Sequence, residues 1–187
     1  MITWLMRNRI DAFEARYDYD MSYVRAVLEV SPRAARLYAQ ATRLGSFRRG
    51  VPTEVYMVAQ LVSVLREDCG PCVQLGVKMA EEMGVSPAIL QAVVSADFDA
   101  LPEHCALAAR FAQAVLTRDA QAETLRERVE ARYGKVGVVA LACGMTVGRL
   151  YPTMKYALGF GKTCTRVKVG GKEVVPARHE AISGAAA

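Results

Sequence analysis

The sequence has no apolar run long enough to span a membrane, which needs at least ~18 residues. Its longest apolar run, residues 136–147, has about 12 residues and ends at Gly148, which fits a buried helix instead. The apolar core of a secretory signal is also missing, because the segment from Ile2 to Met6 is interrupted at Arg7. We therefore expect a soluble, cytoplasmic protein with no membrane partner.

The sequence also has no block of charge of one sign. Its 24 Lys and Arg and 19 Asp and Glu residues are spread along the chain and give a net charge of +5. Two short basic clusters, at residues 7–9 and 48–49, occur without a helix-turn-helix, zinc-finger or aromatic-plus-basic pattern. We expect no nucleic-acid partner and interpret the net charge as a contribution to solubility.

Long linkers and low-complexity segments are absent as well. A chain of 187 residues, 52% of them hydrophobic, is sufficient for one domain with its own core. We predict a single helical domain over residues 1–162, followed by a C-terminal hairpin and a disordered tail over residues 163–187.

Helical spacing, in contrast, is present along most of the chain. Apolar residues recur at intervals of three or four, as in Val55, Val58 and Leu61. The predicted fold class is therefore all-α, with a last short helix ending at Leu158-Gly159 and earlier helices over residues 2–16, 23–28, 31–45, 51–65, 69–84, 86–94, 101–116, 121–132 and 136–150.

Several short motifs mark where these helices begin and end. Ser31-Pro32 and Ser86-Pro87 each place a capping serine before a proline suited to the first helical position. Thr53 is the predicted cap of the helix that follows it. We expect Tyr133-Gly134 to end the charged helix before it and Tyr151-Pro152 to bend the chain.

The tail has a different pattern. Residues 165–169 alternate with a period of two, and Gly170-Gly171 separates them from residues 172–175. Alternation on both sides of a two-glycine turn predicts a β-hairpin over residues 164–175.

The main candidate for chemistry is the pair Cys69 and Cys72, separated by Gly70-Pro71. Proline is favoured in the first turn of a helix, so a helix is predicted to begin here. Its positive end stabilises thiolate over thiol. Cysteines three residues apart in a first turn have a Cα separation of about 5–6 Å, which permits a disulfide.

The residues alone leave three interpretations of this pair open. Cys-Gly-Pro-Cys is also the thioredoxin motif, which follows a β-strand, whereas residues 54–66 have helical spacing. A structural zinc site needs four ligands, and the other candidates form no second close pair: His104, Cys105, Cys143, Cys164 and His179. The third interpretation is two half-buried cysteines without a catalytic role. We expect neither a metal nor a cofactor.

The order of elements around the pair carries a family resemblance. An apolar helix leads into Cys-Gly-Pro-Cys, and residues 72–86 follow as Cys-Val-Gln-Leu-Gly-Val-Lys-Met-Ala-Glu-Glu-Met-Gly-Val-Ser. Residues 101–117 and the apolar segment 136–150 then come in the same order. Over about residues 45–160, the chain resembles the alkylhydroperoxidase D-like branch of the carboxymuconolactone decarboxylase superfamily.

This resemblance implies an alkylhydroperoxidase D-like helical domain whose paired cysteines cycle between dithiol and disulfide. Such a pair reduces peroxide or exchanges electrons with a protein or lipoyl disulfide partner. By position the pair is Cys69 and Cys72, with Cys72 as the attacking thiol and Cys69 as the resolving one. Helix-dipole reasoning favours Cys69 instead, but Glu67 and Asp68 crowd it with negative charge and would raise its pKa.

The family's proton relay is absent from this chain. A glutamate before the first cysteine and a histidine after the second correspond here to Met57 and Gly76. Glu67 is the predicted substitute general base. Asp68 is the predicted helix cap, accepting from the N–H of Gly70.

Two histidines remain, and neither is given a catalytic role. His104 is expected to be an ordinary surface or packing residue beside Cys105, and His179 lies in the tail. Tyr151 and Tyr156 are expected to be core or interface residues.

The leading functional hypothesis is a thiol–disulfide redox enzyme using Cys69, Cys72 and Glu67. A decarboxylase-like enzyme is one alternative, although that branch does not depend on a cysteine pair. A non-enzymatic helical scaffold or redox-responsive binding module is the other. The resemblance, together with the helix at 136–150 that is apolar on nearly every side, implies a homo-oligomer, either a trimer or a hexamer.

Overall fold

A computed structural model describes residues 2–162 and 166–177. Within these residues the protein is all-α with one small hairpin, which confirms the predicted fold class. A short 3₁₀ turn spans Arg43–Ser46. The elements are α1 Ile2–Tyr17, α2 Ser22–Val30, α3 Pro32–Thr42, α4 Thr53–Arg66, α5 Gly70–Glu82, α6 Pro87–Val94, α7 Glu103–Thr117, α8 Ala122–Ala157, β1 Val167–Val169 and β2 Lys172–Val174.

Helix α4 is the centre of the fold. Residues 55–59 and 61–65 are all buried, so the helix is enclosed on nearly every side. It packs against α5, α6, α7 and α8. Because α4 leads directly into the Cys69–Cys72 segment, this rigid central helix fixes the position of the cysteine pair.

Helix α8 consists of two helical segments that meet at Gly134, whose φ of 68° and ψ of 176° are not helical. The predicted stop at Tyr133-Gly134 is therefore confirmed. The second segment lies against α4 at close range: a Cβ built on Gly148 would lie 2.9 Å from the Gln60 carbonyl oxygen. Glycine is thus required where the backbones of the two helices approach each other.

Two of the predicted helix caps, Ser31 and Ser86, are confirmed, whereas Thr53 is not a cap. Ser31 accepts from the N–H of Ala34, and Ser86 accepts from the N–H of Ile89. Thr53 is not a cap: it is the first helical residue, and Pro52 occupies the capping position without a side-chain hydrogen bond. Pro52 has an extended backbone conformation, and its side chain cannot accept a hydrogen bond as a polar cap would.

The expected bend at Tyr151-Pro152 is also wrong. Helix α8 continues through Pro152 to Ala157. The chain turns only at Gly159, which has a φ of +79°. This continuation keeps Lys155 and Tyr156 in helical register with the residues that pack on α4.

Helices α1, α2 and α3 form a second hydrophobic cluster beside the main core. It is rich in tyrosine and joins the main body through Leu75 of α5, and its buried members are Ile10, Tyr17, Tyr19, Tyr23, Val24, Leu28, Ala35, Tyr38 and Leu75. Tyr151 of α8 packs against both clusters.

The hairpin pairs β1 with β2 in antiparallel register, with Val167 opposite Val174. It docks on α5 through Gln74, whose side chain donates to the Lys168 carbonyl at 3.0 Å and accepts from the Lys168 N–H at 2.7 Å. Val169 is fully buried against this helix layer. The hairpin is therefore confirmed over residues 167–174, while residues 163–165 lie outside the described part of the chain.

One helix of the described residues, α8, is long and apolar enough to cross a membrane by length and composition. Buried residues make up 44% of the most apolar 18-residue stretch of this helix. Core helices of soluble proteins meet the same criterion, so this finding is weak evidence for a membrane span.

Candidate functional site

The cysteine pair begins immediately after a tight turn between α4 and α5. Glu67 caps the end of α4, Asp68 takes a left-handed conformation with a φ of +49°, and Cys69 is extended. Aspartate tolerates this left-handed region better than most residues. The turn thus reverses the chain so that α5 starts beside the end of α4.

The prediction of Asp68 as the helix cap is wrong. Cys69 occupies the capping position of α5, one residue later, and makes no side-chain capping hydrogen bond. The N–H of Gly70 donates to the carbonyl of Lys162 at 3.2 Å. That carbonyl, supplied by the segment after α8, replaces the aspartate oxygen that we expected.

Cys69 and Cys72 are joined by a disulfide, with a Cα separation of 5.3 Å. This separation lies within the range predicted from their spacing in the first turn. Both residues are buried: Cys69 is 0% exposed and Cys72 is 5% exposed. The pair is therefore placed for reversible disulfide chemistry, with almost no solvent contact in the oxidised form.

Two contacts from α8 hold the turn that precedes the pair. The Tyr156 hydroxyl donates to the Asp68 carbonyl at 2.9 Å, and Arg149 Nε lies 2.6 Å from Glu67 Oε1. The Glu67 side chain is therefore the partner of an arginine. One carboxylate oxygen is occupied by this ion pair, which competes with the predicted role as general base.

Among the described residues, Tyr19, from the loop between α1 and α2, makes a polar contact with the disulfide. Its hydroxyl lies 3.7 Å from Cys72 Sγ. A disulfide sulfur has no proton, so Tyr19 is the donor here. Burial, and to a smaller extent the neighbouring Tyr23, raise the pKa of Tyr19, which keeps the phenol protonated and able to donate.

Further tyrosine hydroxyls extend from Tyr19 into the N-terminal cluster. The Tyr23 hydroxyl lies 3.3 Å from the Tyr38 hydroxyl, and burial raises the pKa of both. A row of protonated phenols thus leads from Cys72 Sγ through the second hydrophobic cluster.

The ammonium group of Lys155, from α8, lies over the rings of Tyr19 and Tyr23. Its Nζ lies 4.1 Å from the Tyr19 ring centroid and 5.1 Å from that of Tyr23. Lys155 is only 3% exposed, and burial lowers its pKa, an effect that Asp20 opposes. The two aromatic faces stabilise the buried ammonium group by cation–π interaction.

The sequence alone did not identify Tyr19 or Lys155. Tyr19 is separated from Cys72 by 53 positions, and no local pattern predicts that contact. A signal for Lys155 did exist: it lies four residues after Tyr151, on a face of α8 that is otherwise apolar.

Met57 and Gly76, at the two positions where the resemblance would place a proton relay, lie in tightly packed surroundings. Met57 is 1% exposed within the core. A Cβ built on Gly76 would lie 2.8 Å from Leu61 Cδ2. The space for a side chain at position 76 is thus filled by Leu61 of α4.

The remaining cysteines and histidines lie away from the pair or outside the described residues. His104 Nε2 contacts Glu54 Oε1 at 3.3 Å, near the start of α7. Cys105 is fully buried, and desolvation, with a smaller effect of Glu54, raises the pKa of its thiol to about 12. Cys164 and His179 lie outside the part of the chain that the structure describes.

The zinc interpretation receives no support from the described residues, which contain no cluster of three His, Cys, Asp or Glu side chains able to hold a metal ion. Comparison with known proteins adds no assignment: no protein-family model matches the chain, and no curated protein or solved structure matches it. The resemblance to the alkylhydroperoxidase D-like branch therefore stays a prediction.

Proposed function

We propose that this protein is a thiol–disulfide redox enzyme of the alkylhydroperoxidase D-like type. The observation that supports it is the Cys69–Cys72 disulfide at the start of α5, with a protonated tyrosine, Tyr19, in contact with one of the two sulfurs. Intracellular disulfides are mostly catalytic or redox-sensing. We propose the cytoplasm as the setting of this protein and a homo-oligomer as its active form.

The proposed reaction consumes one peroxide per disulfide formed. The Cys72 thiol loses its proton, and the thiolate attacks the distal oxygen of a hydroperoxide, ROOH. The O–O bond breaks, Cys72 becomes a sulfenic acid, and the alkoxide takes up the proton that the thiol released and leaves as ROH. The Cys69 thiol then attacks the sulfenic acid sulfur, releasing water and forming the disulfide. A dithiol partner, either protein or lipoyl, restores both thiols by two exchange steps and leaves as its own disulfide.

Tyr19 gives a structural reason to choose Cys72 as the attacking thiol. A hydrogen bond donated to Cys72 Sγ stabilises the thiolate over the thiol, and no such donor contacts Cys69 among the described residues. The Lys155 ammonium group, next to the Tyr19 ring, adds favourable charge. We propose that these two residues replace the relay absent at Met57 and Gly76.

Glu67 keeps a place in this proposal as a candidate base. Its ion pair with Arg149 is made through Oε1, and we assign proton acceptance to Oε2. Because Tyr19 contacts the sulfur directly, we assign it the main effect on the thiol and assign Glu67 a secondary one.

Mass spectrometry after addition of stoichiometric peroxide tests the cysteine roles. We expect Cys72→Ser to abolish turnover, and Cys69→Ser to stop after one turnover with a sulfenic acid on Cys72. Trapping of the intermediate on Cys69 in Cys72→Ser would reverse the roles. If neither cysteine is oxidised in the wild-type protein, the enzymatic proposal is wrong.

Tyr19→Phe tests the proposed donor. Because a hydrogen bond to a charged group contributes ~1.5–3 kcal/mol, we expect the peroxide reaction at a pH of about 7 to slow by roughly tenfold or more. The pH at which Cys72 becomes alkylated should rise. Tyr17→Phe is the matched control, since Tyr17 belongs to the same hydrophobic cluster but its hydroxyl donates to Glu82 Oε2 at 2.7 Å. Equal slowing in both variants would contradict a specific role for Tyr19.

Burial of both cysteines favours a second candidate, the redox-responsive scaffold, because a buried disulfide restricts access by a substrate. Alkylation of the reduced protein distinguishes the two proposals. In an enzyme, Cys72 should react several-fold faster than Cys105, whose pKa of about 12 leaves it protonated. Equally slow labelling of both would support the scaffold.

A further inference from the structure

A cavity of about 410 Å³ lies between the N-terminal helices and the main body of the protein. Its walls come from α1, α2, α3, α4, α5 and α8 and from the segments that follow α1 and α3. Ligand sites for small molecules typically measure ~300–1,000 Å³, so the space is sufficient for a small organic molecule.

The walls of this cavity are mainly apolar and unusually rich in methionine. Met6, Met21 and Met79 line it together with Ile10 and Phe13. Methionine side chains are flexible and adapt to differently shaped apolar ligands. A flexible alkyl chain therefore fits these walls better than a polar molecule does.

The charged groups of the lining are all basic. Arg9 and Arg48 border the cavity, and no acidic residue does so among the described residues. Arg48 is already occupied: its Nε donates to the Gly45 carbonyl at 2.9 Å, and its guanidinium lies 5.1 Å from the Tyr56 ring centroid. Arg9 is exposed and makes no ion pair or hydrogen bond within the described residues. An anionic group at the cavity edge would thus meet Arg9.

The cavity is connected to the disulfide through one residue. Tyr19 lines the cavity and also contacts Cys72 Sγ at 3.7 Å, whereas neither Cys69 nor Cys72 is part of the lining. A bound molecule would therefore touch the donor tyrosine and not the sulfurs. Such a ligand is placed to regulate the pair and is not positioned as its substrate.

We propose that this cavity binds an amphipathic monocarboxylate, with its alkyl chain among the methionines and its carboxylate at Arg9. Binding is coupled to the redox state of Cys69 and Cys72 through Tyr19. The coupling rests on the proposed redox function, whereas the binding does not. By reciprocity, a ligand that changes the reduction equilibrium binds the dithiol and disulfide forms with different affinities.

Isothermal titration of the disulfide form with decanoate tests the binding without requiring any turnover. We expect saturable binding that Arg9→Gln weakens by about threefold to fivefold, the typical contribution of a partly exposed ion pair. Arg7→Gln is the matched control, because Arg7 is exposed on the same helix but does not line the cavity. Absence of binding, equal weakening by the two substitutions, or equal binding of decanol would overturn the proposal.

A variant that fills the cavity provides an independent check. Ala39 is exposed on α3 and borders the cavity, so Ala39→Trp should abolish decanoate binding while the helix remains intact. Ala34→Trp, at an exposed position of the same helix outside the lining, should bind normally. Normal binding by Ala39→Trp would place the ligand elsewhere and overturn the site.

Redox titration against dithiothreitol, with and without saturating decanoate, tests the coupling. We expect the equilibrium constant for reduction to change by about fivefold in the wild-type protein. In Tyr19→Phe, titrated at a decanoate concentration that saturates that variant, the change should be lost. Binding with no change in the wild-type constant would overturn the coupling alone. Failure of the cysteines to react with peroxide, with the binding result intact, would count only against the proposed enzyme.

Discussion

Lys155 is a residue that folding alone would not favour. It is 3% exposed, and no acidic side chain forms an ion pair with it in the described part of the chain; Asp20 and Lys162 act on it only at longer range. Removing an ammonium group from water costs several kcal/mol, of which cation–π contacts recover ~0.5–2 kcal/mol each. A charge retained at such a cost beside Tyr19 and Cys72 supports a functional role.

The pH dependence of stability tests this interpretation. Burial lowers the pKa of Lys155 below 10.5 in the folded protein, whereas the unfolded chain keeps the ordinary value. Between these two values the unfolded state binds more protons, so the folded state gains stability as the pH rises. We expect Lys155→Met to be more stable than wild type by about 1 kcal/mol at neutral pH, with the difference shrinking toward pH 10.5.

Urea unfolding at several pH values measures this difference. Lys135→Met is the control, because Lys135 is exposed on the same helix and should show no such trend. If Lys155→Met is less stable than wild type at neutral pH, the ring contacts outweigh the cost of burial.

Residue roles were predictable from the sequence only where the contact is local. Cys69 and Cys72 lie within one helical turn, so their separation followed from spacing and is confirmed by the 5.3 Å between their Cα atoms. Tyr19 lies in the loop between α1 and α2, so its contact with Cys72 depends on how these two helices pack on α5. The partner of Glu67, Arg149, is 82 positions away and was not anticipated.

At the scale of whole elements, the pattern of apolar residues predicted the helices well. Helical spacing gave α4 and α8 their correct type, and Gly134 was correctly identified as a break. The errors fell at helix ends and at proline. Pro152 remains inside α8 because tertiary packing keeps the helix continuous, which overrides the local preference of proline to end it.

Helix packing gives a sharper prediction at Gly148. A Cβ at this position would lie 2.0 Å from Ser63 Oγ and 2.9 Å from the backbone oxygen of Gln60. The serine side chain can rotate, but the backbone oxygen cannot move without shifting α4. Gly148→Ala should therefore destabilise the fold by ~1–3 kcal/mol, the usual effect of overpacking.

Chemical unfolding of Gly148→Ala and of an exposed control on the same helix, Thr146→Ala, measures this effect. The control should change the free energy of unfolding by less than ~0.5 kcal/mol. Because α8 also carries Lys155 and Tyr156, Gly148→Ala should in addition disturb the reactivity of the cysteine pair. Wild-type stability in Gly148→Ala would mean that α4 and α8 are not packed this closely.

At the scale of the whole molecule, α8 leaves an apolar face uncovered. Val136 and Val139 are each 50% exposed, and Ala142 is exposed three residues further along. Residues at this spacing share one side of a helix. Val115 of α7, 39% exposed, borders the same region across a groove that Ala142 also lines. An apolar surface of this kind is typical of a protein interface.

We expect this face to form the contact between subunits of the proposed trimer or hexamer. Val139→Glu places a charge at its centre and should dissociate the oligomer at micromolar concentration, because an interface cannot bury an unpaired carboxylate without a cost of several kcal/mol. Lys135→Glu makes a comparable change of charge at an exposed polar position of the same helix and should leave assembly intact. Sedimentation velocity measures both variants. A wild-type protein that sediments as a monomer would contradict the oligomer itself, whereas an intact Val139→Glu oligomer would place the subunit interface on another surface.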